Sequence, residues 1–158
     1  MANLSEKEQA DWLANAFGRI KHMPDVIGVN YWVNVGGETA LWDVSEKPTA
    51  KVEVMRNFYS DKAVSGKVLD SQGKAIPFAQ IVLFDKVYTA SQDGTYTLPF
   101  FYSGQVAQVQ AEEYTALKKT FAQPKKNENI SLVHSSIPQN EVKKKSLWDQ
   151  IIDFILNR

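Results

Sequence analysis

Ala63-Val64-Ser65-Gly66-Lys67-Val68-Leu69-Asp70-Ser71-Gln72-Gly73-Lys74-Ala75-Ile76-Pro77-Phe78-Ala79-Gln80-Ile81-Val82-Leu83 is the stretch that decides the fold. Residues 63–70 alternate in the period of a strand with one buried face. Ser71-Gln72-Gly73-Lys74 is a turn, and residues 79–84 form a mostly apolar run of strand length. The pattern continues downstream. Strands are expected at 87–91, 95–98, 105–111, 116–121 and 129–133, with a second turn at Gln92-Asp93-Gly94. Seven short strands separated by turn chemistry every ten or so residues predict an antiparallel Greek-key sandwich over about residues 62–134. Gly73 and Gly94 occupy turn positions that call for φ > 0, and Pro77 pre-sets an edge position where no amide donor is needed. Tyr96 falls on the core face, with its hydroxyl placed to bond a loop backbone.

Before the sandwich the period changes. Ser5 and Glu8 form a capping box with Leu4 ahead of it as a staple. Trp12, Leu13, Ala16, Phe17 and Ile20 follow at helical spacing to about His22, and Pro24 is the stop. Residues 26–35 read as a strand that is apolar on both faces, and Gly36-Gly37 breaks it. A second helix is expected from about Thr49 to Tyr59, beginning beside Pro48 and burying Val52, Met55, Phe58 and Tyr59. One parallel strand between two helices cannot pair its own backbone groups, so it calls for strands from elsewhere. After the sandwich comes a polar linker (135–146) with Pro138 and Lys143-Lys144-Lys145. Ser146 then caps an amphipathic helix (147–158), with Leu147, Ile151, Phe154 and Ile155 on one face and Asp149 and Asp153 opposite. The fold class is α+β: helix–strand–helix, a seven-stranded β-sandwich, and a C-terminal helix.

Composition narrows the chemistry. Eighteen basic residues balance eighteen acidic ones in 158, which gives no steering toward nucleic acid or an anionic substrate. Without Cys there is no thiol nucleophile and no thiolate metal site. His22 and His134 are distant in sequence and lack clustered carboxylates, so neither metal nor cofactor is expected. Ser65 and Ser103 have no nucleophile-elbow context, and Gly36-Gly37 lacks the lysine and helix start of a phosphate loop. No run of eighteen apolar residues exists to span a bilayer, and the first residues carry no signal-peptide core. A basic run before a Trp-bearing amphipathic helix invites comparison with a membrane-surface anchor, but Asp149 and Asp153 would repel anionic headgroups.

Two resemblances rest on particular residues. Gly66-x-Val68-x-Asp70-x-x-Gly73-x-x-Ile76-Pro77-x-Ala79-x-Ile81, followed by Thr89-x-x-x-Asp93-Gly94-x-Tyr96, resembles the carboxypeptidase regulatory-like domain. That family implies a transthyretin-like sandwich with no catalytic or zinc-binding residues of its own, acting as a spacer or accessory module. Asn30-Tyr31-Trp32-Val33-Asn34 with Gly36-Gly37-Glu38-Thr39-Ala40-Leu41-Trp42 resembles the last strand and loop of a (β/α)8-barrel glycoside hydrolase, over about residues 5–60. This implies that residues 1–60 are the last repeat of such a barrel. Trp32 would form the floor under a sugar ring, with Asn34, Glu38 and Trp42 as further substrate contacts.

The two carboxylates that a retaining glycosidase holds about 5 Å apart belong to strands this chain does not contain. No catalytic residue is therefore assigned, and Glu38 and Asp43 read as solvated or substrate-bonding side chains. The expectation is a C-terminal part of a glycoside-hydrolase-like protein without activity of its own. Its partners would be a polysaccharide and a missing barrel or partner protein, and its location extracellular or at the cell surface. The alternative is a stand-alone carbohydrate- or protein-binding module.

Overall fold

The expected alternation of strand and turn from residue 63 onward forms as seven strands. The computed structural model describes residues 4–31, 35 and 39–135. The expected linker beyond 135 and the tail helix lie outside them. The elements run α1 (Glu6–Ile20), α2 (Ala50–Tyr59), β1 (Ala63–Asp70), β2 (Gln80–Leu83), β3 (Lys86–Thr89), β4 (Thr95–Pro99), β5 (Gln105–Gln110), β6 (Leu117–Phe121) and β7 (Ile130–Leu132). Two sheets result, one ordered β4-β1-β7 and one ordered β3-β2-β5-β6. Alternate residues close the core: Val64, Val68, Tyr96, Leu98, Ile130 and Leu132 from the first sheet, Ile81, Leu83, Ala107 and Val109 from the second. The chain is α+β with a β-sandwich.

One expectation is corrected. The sandwich is not wholly antiparallel, because β1 and β7 run parallel, with Val68 opposite Ile130 and Asp70 opposite Leu132. Local alternation specifies which face of a strand is buried. Strand direction follows from how the connection crosses the sandwich, which no short window of sequence encodes.

The chain divides into two compact units: Met1–Val64 with Leu98–Gln105 and Thr120–Lys126, and Ser65–Thr97 with Val106–Lys119 and Asn127–Arg158. In the second unit, turn chemistry sets the register. Gly73 sits at φ +82° and Gly94 at φ +76°. The Asp70 carboxylate accepts the amides of Gln72 and Lys74 at 2.8 Å each. Asp93 is bonded more densely. Its carboxylate accepts from Ser91 Oγ at 2.6 Å, Thr95 Oγ1 at 2.9 Å, Lys67 Nζ at 3.0 Å and the Thr95 amide at 3.2 Å. These bonds, the Ser91 hydroxyl first, hold Asp93 far below the usual carboxylate range. Tyr96 is buried and donates its hydroxyl to the Glu128 carbonyl, as its place on the core face implied. Gly66 meets the same segment: a Cβ there would lie 2.2 Å from the Glu128 carbonyl oxygen.

In the first unit α1 begins on the expected capping box. The Glu8 amide donates to Ser5 Oγ at 3.3 Å, and the Glu8 carboxylate accepts the Ser5 amide at 2.7 Å. Its buried stripe is Ala10, Leu13, Ala14, Phe17 and Gly18, and Trp12 points outward with 66% of its surface exposed. The stripe is rotated from the one expected because small residues, not the bulkiest ones, set the contact. A Cβ on Gly18 would come 3.7 Å from the Phe101 ring, so α1 sits directly on that side chain. The buried face of α2 is likewise Lys51, Val54 and Asn57 rather than Val52, Met55, Phe58 and Tyr59. Two of those three are polar and are tolerated because each has a partner.

Gly66→Ala is expected to destabilise by about 3 kcal/mol or more, since backbone must move to admit the methyl group. Gly73→Ala, strained but unobstructed, should cost about 1 kcal/mol; urea unfolding of the two variants checks the contrast. A carboxylate held down in the folded state stabilises above its unfolded pKa of about 4 and loses that contribution as pH falls. Asp93→Asn should therefore lower Tm at neutral pH and flatten the acid limb of a Tm-against-pH curve below about pH 4, so that variant and parent converge at low pH.

Candidate functional site

The 29 residues between α1 and α2, Lys21 to Thr49, carry the sequence expectations about ligand contact. The expected buried strand at 26–35 does not form in its described part. Residues 26–31 belong to no strand, Val26 and Ile27 are exposed, and Val35 makes a single parallel bridge to Trp42. The reason lies in hydrogen bonding. A strand apolar on both faces is stable only between other strands, and among the described residues no strand pairs with 26–31. Its backbone is instead held by side chains: Tyr59 donates its hydroxyl to the Val29 carbonyl, and the Tyr31 hydroxyl donates to the Thr39 carbonyl.

Of the proposed sugar contacts, Trp32, Asn34 and Glu38 lie outside the described residues, as does the Gly36-Gly37 break. Trp42 is half-buried. It bridges Val35 on one side and Pro48 on the other, at the neck of a loop closed by Leu41 and Thr49. The Leu41 carbonyl accepts both the Thr49 amide and its hydroxyl at 2.8 Å. Asp43 organises the loop itself. Its carboxylate accepts the amides of Ser45 and Lys47 at 2.8 and 2.9 Å, and its own amide donates to Lys47 O at 2.9 Å. This is turn chemistry, so Asp43 is spent on shape.

Beside this loop's lead-in is a groove of about 350 Å³ lined by Ile20 and Lys21 of the α1 end, residues 26–29, and Phe58, Tyr59 and Asp61 of the α2 end. Phe58 stacks on Phe17 at 4.4 Å between centroids and meets Tyr59 edge-on at 5.2 Å. Lys21 and Asp61 form an ion pair at one end, which keeps the Asp61 carboxyl below its ordinary range. Its volume is at the lower end for a small-ligand site. Tyr59, expected on the buried face of α2, and Trp12, part of the helical repeat of α1, both present broad exposed aromatic faces. A wheel drawn through Ala10, Ala14 and Gly18, rather than through the largest residues, would have put Trp12 outside.

The helical pair is anchored to its own chain. Asn57 donates to the Phe101 carbonyl at 2.8 Å, the Tyr102 hydroxyl donates to Asp11, and the Glu53 carboxylate accepts the Ser103 amide at 3.0 Å. The α1–α2 junction is closed by Glu6, whose carboxylate accepts the Ala50 amide at 2.6 Å in place of a cap from Thr49. Lys51 donates to Gln9; burial pulls its amine below the ordinary lysine range, partly offset by Glu6. Among the described residues no group of three or more His, Asp or Glu side chains is placed to hold a metal ion.

No family model matches this chain.

No curated protein matches it either. Some solved structures match about half of this chain at low identity and low TM-score. One is a chain from the crystal structure of an N-terminal interface mutant of a type II Cohesin–X-Dockerin complex from Acetivibrio cellulolyticus, at 8% identity and TM-score 0.37, covering 48% of this chain and 60% of that one. Another is a protein of unknown function from Bacteroides fragilis described as membrane-associated, at 19% identity and TM-score 0.34, covering 48% of this chain and 28% of that one. This chain thus spans less than two thirds of either.

Asn57→Ala would remove the amide that donates to the Phe101 carbonyl in a buried setting, at a cost of about 1–3 kcal/mol. Urea unfolding should register the loss, and limited proteolysis should cut between α1 and α2 sooner than in the parent. Unchanged stability would show that Asn57 does not hold the helices in place.

Proposed function

We propose that this chain is the C-terminal part of a glycoside-hydrolase-like protein, and that it supplies substrate contacts and a non-catalytic accessory sandwich rather than chemistry. The observation that carries this reading is the run at 26–31. Its residues have strand-forming sequence, yet among the described residues they join no strand, and Val26 and Ile27 are left in solvent. Strands of a missing barrel would satisfy those amides and cover those side chains. Trp32 and Trp42 would then stack on a sugar ring, with Asn34 and Glu38 hydrogen-bonding its hydroxyls. The sandwich, in the manner of the carboxypeptidase regulatory-like domain it resembles, would act as a spacer on a β-linked polysaccharide outside the cell. Acid and nucleophile would come from the barrel, and no cofactor is required.

A second reading, a stand-alone carbohydrate- or protein-binding module, draws on a different observation. α1 and α2 bury their faces against Phe101 and Tyr102 of this same chain, so the helices have a home without a barrel.

Affinity electrophoresis through β-linked glucan, xylan and mannan tests the sugar contact. The purified chain should be retarded by at least one of them, and Trp42→Ala should weaken that binding about tenfold, the worth of one aromatic stacking contact. Absence of retardation on every polysaccharide would overturn the sugar-contact reading. Release of reducing sugar by the purified chain, lost in Glu38→Gln, would overturn the non-catalytic one.

A further inference from the structure

Phe78 is placed against its own preferences. The Pro77-Phe78 turn between β1 and β2 holds it at φ +56°, a left-handed conformation that a Cβ disfavours. Where proline takes the first central position of a turn and the second has positive φ, the second ordinarily belongs to glycine or asparagine. Among the described residues the other non-glycine positions at positive φ are the polar Glu46, Asp61, Glu113 and Asn127, and Phe84. Phe84 is half-buried in the β2–β3 turn, so burial offsets part of its strain. Phe78 lacks that offset, with 62% of its surface exposed. An exposed apolar residue alone is ordinary. One held on strained backbone and kept out of the core points to a use for the ring.

The turn is built to hold that ring still. Ile76 and Ala79, on either side of Pro77-Phe78, are 5% and 0% exposed. The Ile76 amide donates to Val68 O and the Ala90 amide to Ala79 O, each at 2.9 Å, and the Phe78 amide reaches Ser91 O at 3.4 Å. A ring on so fixed a backbone loses little freedom on binding. Its surroundings indicate what it meets. In the two turns joined by that last bond, 71–79 and 91–94, every other exposed residue is polar, glycine or proline. A protein interface buries about 800 Å² on each partner around an apolar centre. One aromatic ring among hydroxyls and amides instead matches one sugar ring, whose C–H face stacks while its hydroxyls bond the neighbours.

We propose that Phe78 is a sugar-stacking residue, with the exposed Gln92 amide of the adjoining turn serving the sugar hydroxyls. The sandwich is then a second polysaccharide contact and not only a spacer. This extends the polysaccharide reading made for Trp42 and rests on it.

The full chain in the same polysaccharide gels tests the contact. Phe78→Gly should weaken retardation about tenfold, and Phe78→Trp should preserve it. Phe78→Leu keeps the strain and the apolar bulk but not the ring, and should bind as weakly as the glycine variant. Because glycine relieves the strained φ, the Tm of Phe78→Gly should equal or exceed the parent's. A lower Tm would make the ring a packing residue and overturn the proposal, as would full retardation of Phe78→Gly or Phe78→Leu. If Trp42→Ala weakens binding and Phe78→Gly does not, the Phe78 contact fails while the Trp42 reading stands. The reverse pattern keeps Phe78 and removes Trp42.

Discussion

Gln105 is a fully buried side chain at the start of β5, and its one amide holds the segment on which the helices depend. Its carbonyl accepts the Phe101 amide at 2.7 Å and its NH2 donates to the Pro99 carbonyl at 2.9 Å. A glutamine with both ends bonded costs little to bury, whereas one end left unpaired in that environment costs about 1–3 kcal/mol. The turn from Pro99 to Gln105 is therefore fixed in shape. From it Phe101 presents a ring to Gly18, a carbonyl to Asn57 and, one residue later, a tyrosine hydroxyl to Asp11. Small residues on α1 and an amide on α2 make sense only against this turn.

That dependence explains which parts of the fold could be read directly from the residues and which could not. The strands of the sandwich announce themselves by alternation or by short apolar runs, bounded by turn residues with their own mechanism, such as Gly94 at positive φ or Asp93 collecting local donors. The core tyrosine was legible for the same reason. By contrast, Lys51 and Asn57 look like surface residues of α2 and are buried, because the Gln9 and Phe101 groups that satisfy them lie 42 and 44 positions away. The parallel β1–β7 pair is equally non-local. Helical periodicity also misplaced Trp12, since hydrophobic size competes with closeness of approach and here closeness wins.

The candidate site was less legible than the fold, and residues 26–31 show why. Val26, Ile27 and Val29 have every local reason to be strand, but a strand is a relation between segments. Among the described residues no second strand pairs with them, and the local preference has nothing to act on. Sequence thus described correctly what those residues are suited to and incorrectly what they do in this chain.

The same residues differ energetically from the sandwich that follows them. Between α1 and α2 the backbone is tied by a few contacts: the Tyr59 and Tyr31 hydroxyls, the Leu41–Thr49 neck and the Asp43 turn. The helices, meanwhile, are clamped to each other by Glu6 on Ala50 and by Phe17 stacked on Phe58, neither of which involves that segment. The described residues of that segment keep local order of their own: Asp43 sets the shape of the turn and Leu41 with Thr49 sets its neck, while the helices are held by groups outside it.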